Sequence, residues 1–195
     1  MPVMQAARGT SLSSGDHTES PITLPQRTRV RRVFIVTAVL AYALDVGTKI
    51  LAVERLTGKG RVDVLGDLFG FHLVRNPGAA FSTGLGFTLV FSLLAIVATG
   101  VVLWLARRLG SLLWAVGMGL LLAGITGNLT DRLLRDPSPL RGHVVDFLEL
   151  PNWPIFNVAD ICLNLGVLIV LIQTVRGVAL DGSRTTTKTT PEADA

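Results

Sequence analysis

The chain has 195 residues, of which 49% are hydrophobic and only 16% charged, against about 25% charged in an ordinary soluble domain, and its mean hydropathy is +0.53. This balance fits a membrane protein of a few spanning helices and leaves little chain for a separate soluble domain. The net charge of +4 does not call for a nucleic-acid partner, because the basic residues gather at helix ends rather than on a water-exposed face. The single Cys162 excludes an intrachain disulfide framework, and the absence of a Cys/His cluster at zinc-ligand spacing argues against metal chemistry.

Residues 1–32 are rich in Ser, Thr, Pro and Arg and end in the basic run Arg27, Arg29, Arg31, Arg32. They read as a disordered cytoplasmic tail, and the apolar stretch after them reads as an anchor that is retained rather than a cleaved signal. Four stretches approach the roughly 20 apolar residues a spanning helix needs, at about 33–53, 87–106, 109–130 and 156–175. The Lys and Arg residues at the N-terminal tail, at Arg107-Arg108 and after Arg176 put both termini on the cytoplasmic side. The connections 54–86 and 131–155 then face outward.

The expected architecture is an all-α integral membrane protein, a four-transmembrane-helix bundle with a small extracytoplasmic β element. That element is read from period-two alternation at Val62, Val64 and at Phe69, Phe71, Leu73, punctuated by Gly58, Gly60, Gly66 and Gly70. In the third span Gly119, Ala123 and Gly127 recur every four residues, a strip that admits another helix backbone. The membrane domain covers 33–176, and 177–195 reads as a disordered cytoplasmic tail without chemistry.

The second and third stretches contain no charge, whereas the first carries Asp45 and Lys49 and the fourth carries Asp160. An ionised carboxylate at membrane depth costs about 3 kcal/mol even on the lenient insertion scale, so it is retained for a partner or a task. Asp45 stands four residues before Lys49, the favourable order for a helical ion pair, which points to structural pairing. A Ser-Lys dyad of Lys49 with Ser82 has no supporting motif. Asn76, in Asn76-Pro-Gly turn chemistry between the β element and the second span, is placed to contact a substrate.

Asp131, with Arg132 as immediate neighbour and Asn128 one turn back, forms a polar cluster at a helix end, and positioning is expected of it rather than catalysis. Asp146 lies among apolar residues in a short extended segment at the membrane surface. Asp160 has no basic residue within a turn on either side, and Asn157 precedes it on the same helix face, suited to cap the helix. Pro151 and Pro154 bend the chain between Asp146 and Asp160, which allows the two carboxyls to meet. A pair about 3 Å apart shares one proton, so one member can activate water while the other donates to a carbonyl. Chemistry alone leaves three roles open for such carboxylates: protease dyad, proton relay and structural support. A relay should cross the membrane, yet nearly all the polar residues lie toward the outer half, and a scaffold would not explain an unpaired Asp160.

Taken together, Asp45-Val-Gly-Thr-Lys49, Asn76-Pro-Gly-Ala-Ala-Phe81, Gly124-Ile-Thr-Gly-Asn-Leu-Thr-Asp-Arg132, Val144-Val-Asp-Phe147 and Phe156-Asn-Val-Ala-Asp160, in this order on a four-span chain, resemble bacterial prolipoprotein signal peptidase (signal peptidase II). The resemblance runs over about 33–175. It implies an aspartic endopeptidase of the bacterial cytoplasmic membrane that acts at its outer face. Such an enzyme cleaves on the amino side of a diacylglyceryl-modified cysteine, uses no cofactor and is inhibited by globomycin. It also implies that Asp146 and Asp160 are catalytic, while Asp45, Lys49, Asn76, Gly124, Asn128, Asp131, Arg132, Asn157 and Ala159 support the fold or hold substrate. The implied partners are lipid-modified prolipoproteins and membrane lipid, and a monomer is expected because one bundle can hold the whole site. Two positions depart from the family pattern, Ala123 where Gly is frequent and Ile161 where a small hydroxyl residue is common.

Overall fold

The computed structural model describes residues 24–78 and 86–184. The expectations for 1–23, for Ala79 to Ser82 and for 185–195 lie outside the described residues. In chain order the elements are α1 (Leu24–Leu56), β1 (Val62–Asp63), β2 (Gly70–Asn76), α2 (Gly86–Ala106), α3 (Leu112–Leu134), β3 (Val144–Glu149) and α4 (Val158–Val175). All four helices are long and apolar enough to cross a membrane.

The 33 residues of α1 extend about 50 Å, some 20 Å more than a hydrocarbon core. Its first nine residues correct the expectation of an irregular tail up to residue 32. Pro25 falls in the first turn, where a missing N–H is harmless, and Arg is a good helix former. Val30, 1% exposed, packs with Phe34, Val102, Leu109, Trp114 and Met118 and ties this extension to the bundle. The other terminus also departs from the reading as a tail. After α4, residues 177–184 turn back against the start of α3. There Gly110 N donates to Leu180 O at 2.9 Å, Trp114 Nε1 donates to Val178 O at 3.0 Å, and Val178 and Leu180 pack on the same apolar cluster.

Helix α3 is the centre of the bundle. Of its span 56% is buried, against 11% for α2, and it packs on α1, α2 and α4. The small-residue strip explains how. Gly119 lies against α1, where a Cβ would come 2.9 Å from Phe34 O, and Gly127 lies against the Asp45 carboxylate. A second strip faces α4: a Cβ on Gly117 would meet Ile169 at 2.8 Å, and one on Gly124 would meet Ala159 O at 2.6 Å. The outer faces of the helices expose Leu40, Leu94, Val97, Leu168 and many other large apolar side chains, far more than a water-soluble surface carries.

The β element is larger than the alternation in residues 62–73 foretold. It is an antiparallel sheet of order β1-β2-β3, in which the third strand comes from the second outer connection. The register sets Val74 opposite Asp146, Arg75 opposite Val145 and Asn76 opposite Val144. A second apolar cluster, Ala52, Leu56, Val145 and Phe147, fixes the sheet to the end of α1. Buried polar residues on α1 and α3 lie between the two apolar clusters.

The glycine contacts separate packing from helix propensity. Gly127→Ala pushes a methyl group into Asp45 and should destabilise the fold by about 1–3 kcal/mol. Gly100→Ala, whose added Cβ meets nothing within 4 Å, should instead be neutral or stabilising by up to about 1 kcal/mol. Thermal unfolding in one detergent checks the opposite signs.

Candidate active site

Lys49 is 1% exposed; its ammonium donates to Asn128 Oδ1 at 2.9 Å and makes ion pairs with Asp45 Oδ2 at 2.9 Å and Asp131 Oδ2 at 3.0 Å. An ammonium paired with two carboxylates is suited to anchoring helices, and Ser82, the other member of the Ser-Lys reading, lies outside the described residues.

Each acceptor passes the constraint outward. Asp45 Oδ1 accepts from Ala159 N at 2.8 Å, so α1 presents a carboxylate to the positive start of α4. Asp131 reaches β3, accepting from Val145 N at 3.2 Å. Asn128, its Oδ1 turned to Lys49, must aim its NH₂ the other way, and Nδ2 donates to Asp160 Oδ1 at 2.9 Å.

The expected pairing of Asp131 with Arg132 is corrected. Adjacent residues on a helix diverge by about 100°, whereas residues four apart share a face. Asp131 is paired with Arg135 and with Lys49. Arg132 donates from Nη1 to Asn128 O at 3.2 Å, and its half-buried guanidinium feels the charges of Asp160, Asp146 and Asp131, strongest first.

Asn157 is the N-cap of α4 and forms a capping box with Asp160: Asp160 N donates to Asn157 Oδ1 at 3.1 Å, and Asn157 N donates to Asp160 Oδ2 at 3.1 Å. The Asn157 amide is fully buried and bridges β3 and α3, donating from Nδ2 to Asp146 Oδ1 at 2.6 Å and to Asn128 Oδ1 at 3.2 Å. Asn76 Nδ2 donates to the other oxygen of Asp146 at 2.8 Å. A neighbour across the β2–β3 ladder thus holds Asp146, a partner that no linear spacing revealed. Gly142 passes so close over the end of α3 that a Cβ would meet the carbonyls of Asp131, Arg132 and Arg135, and the chain then enters β3.

Asp146 and Asp160 line one cleft of about 400 Å³, with walls from Trp153, Pro154, Ile155, Phe156, Ile161 and Leu165. Among the described residues no Lys or Arg makes an ion pair with either carboxylate. Burial lifts Asp146 from 3.8 to about 6; the hydrogen bonds from Asn76 and Asn157 and the charge of Lys49 oppose the rise, and the charge of Asp160 adds to it. Asp146 therefore keeps a proton well above the range of an ordinary aspartate. A partly protonated carboxyl beside a second carboxyl, both open to a cleft, can hold a water, take its proton and give one to a carbonyl oxygen. Ile161 adds apolar wall beside Asp160 where the family pattern has a hydroxyl.

The family model described as signal peptidase (SPase) II matches residues 37–176. A lipoprotein signal peptidase of Mycolicibacterium smegmatis is 49% identical over 166 residues, covering 84% of this chain and 68% of that protein. One of Leifsonia xyli is 46% identical over 153 residues, covering 78% and 71%. A solved structure described as a bacterial membrane enzyme, determined in meso at 1.9 Å resolution, superposes with a TM-score of 0.65 at 28% identity and covers 73% of this chain and 92% of its own.

Removal of the anchor should be severe. Lys49→Met leaves Asp45 and Asp131 buried beside a thioether, and loss of one partner from a buried ion pair costs about 3–5 kcal/mol. The expected result is a large fall in melting temperature and in the folded yield from membranes. A variant as stable as the parent would contradict the anchoring role.

Proposed function

The chain belongs to the signal peptidase II family, and from that premise we propose that Asp146 and Asp160 are the catalytic pair with which it removes signal peptides from prolipoproteins. It is a multi-pass membrane protein and an aspartic-type protease by family. The observation that carries the site assignment is that two carboxylates from different elements, β3 and the first turn of α4, open into one cleft with no Lys or Arg among the described residues paired to either.

The substrate is a prolipoprotein already carrying diacylglycerol on its cysteine, cut on the amino side of that residue. With one proton between them, the carboxyls divide the work. One takes a proton from the attacking water while the other protonates the carbonyl oxygen; the resulting tetrahedral diol collapses as its C–N bond breaks and the amine leaves with a proton. Asn128 and Asn157 hold the pair in place, and the Arg132 guanidinium lies where it can balance charge that develops on substrate or carboxylate. Asn76 acts through Asp146. Asp45, Lys49, Asp131, Gly124 and Ala159 set the approach of the helices that carry these groups.

The enzyme sits in the bacterial cytoplasmic membrane with both termini inside and its site at the outer face. Supporting this, Arg27, Arg29, Arg31, Arg32, Arg107, Arg108 and Arg176 lie at the helix ends remote from the carboxylates. One chain supplies the whole site, so it works as a monomer, with 33–176 as the catalytic domain.

Asp146→Asn and Asp160→Asn should each abolish cleavage of a diacylglyceryl prolipoprotein while the protein stays folded, and normal turnover by either would sink the assignment. Asp131→Asn should act mainly through stability, because its carboxylate faces Lys49 and Arg135 rather than the cleft. The pH profile follows from the proton on the pair. An ordinary aspartate loses its proton near 3.8, and Asp146 holds it to about 6. The singly protonated pair therefore persists to higher pH and is lost as pH rises, so kcat/KM should fall on an alkaline limb near 6. Substrate displaces water from the cleft and favours the neutral carboxyl further, which places the limb of kcat at higher pH than that of kcat/KM.

A further inference from the structure

Asn164 lies on α4 four residues after Asp160, on the same helix face, and lines the cleft with both carboxylates. It is exposed, inside a span. Its Nδ2 donates to Asp160 O at 2.8 Å, the one hydrogen bond of its side chain among the described residues, which leaves Oδ1 and a second N–H available to a molecule in the cleft that the residue lines. At membrane depth no bulk water satisfies such an amide, and a polar group held there is functional by default. Ile161 and Leu165 flank it with apolar side chains.

We infer that Asn164 is a substrate-binding residue whose Oδ1 accepts a backbone N–H of the signal peptide, about two residues before the scissile bond. The distance follows from geometry. Four helical residues advance about 6 Å, and an extended peptide covers that in about two residues. The direction follows from the reading proposed above, on which the inference rests: the lipid-bearing cysteine lies at the membrane face, so the residues before the cut enter the span alongside α4. An unwound stretch there exposes peptide groups that have no water to bond, and a side-chain acceptor in the cleft wall supplies the missing partner.

The test uses full-length protein in lipid or detergent and two synthetic diacylglyceryl-cysteine peptides. One is all amide, and the other has an ester replacing the peptide link whose N–H belongs to the second residue before the cut. For the parent enzyme the ester should lower kcat/KM about tenfold, carried by KM. Asn164→Leu should cut the amide peptide about tenfold less well and show no further loss with the ester. Equal ester effects in both enzymes would overturn the contact and point to a lipid or structural role, and full activity of Asn164→Leu on the amide peptide would overturn it outright. Asp146→Asn and Asp160→Asn are run alongside: their inactivity confines any failure to Asn164, whereas their normal activity overturns the site reading and this inference with it.

Discussion

One buried ammonium organises the polar half of this bundle. Lys49 faces two carboxylates and an amide oxygen on two helices, and a charge in so dry a place is tolerable only when it is paired. That requirement ties α1 to α3 directly. Through Asp45 it reaches the first turn of α4, through Asp131 it reaches β3, and through Asn128 it turns an amide toward Asp160. With Arg135 beside Asp131, this inner cluster has two cations for two carboxylates and is electrically closed. Asp146 and Asp160 lie outside that closed set.

The two sets of carboxylates differ in what stands against them, and on the proposed reading that difference separates the pair that holds the fold from the pair that does chemistry. Asp45 and Asp131 have cations against them, which fix them in ion pairs. Asp146 and Asp160 are held by amides, which orient a carboxylate without supplying a full opposing charge. Burial then dominates at Asp146 and favours its neutral form. The apolar walls of the cleft strengthen the same effect, since they keep water away from the pair. A capping box that seats Asp160 at the start of α4 adds rigidity at little cost, because the backbone groups it satisfies would otherwise lack partners at the membrane surface.

Position along a helix also decided which basic residue serves which acid. The sequence places Arg132 beside Asp131, yet on a helix the neighbour in sequence is a poor neighbour in space. Arg135 and the distant Lys49 take Asp131, and Arg132 is left within the electrostatic reach of Asp160 and Asp146. Close helix approach makes this arrangement possible. Gly127 leaves room for the Asp45 carboxylate and Gly124 for the backbone of Ala159, so α1 and α4 come near enough to α3 for short side chains to meet.

By itself the sequence determined the four spans, the asymmetry that separates a polar half from an apolar one, and the local pairs: Asp45 with Lys49 at helical spacing, and Asn157 as the cap before Asp160. These were legible because helical period, hydropathy and capping act over a few residues. At both ends regular or packed structure reaches into segments that the composition marks as tail. The starting turns of α1 and the segment 177–184 are held by packing on Trp114 and its neighbours, which composition does not express. Only the tertiary structure decided that β3 pairs with β2, that Asn76 therefore holds Asp146, that Lys49 joins Asp131 and Asn128 across the helix interface, and that Asp146 and Asp160 open into a common cleft. Each of those contacts joins residues remote in the chain, and their meeting depends on the register of a sheet and the closeness of two helices, quantities that no short stretch of sequence contains.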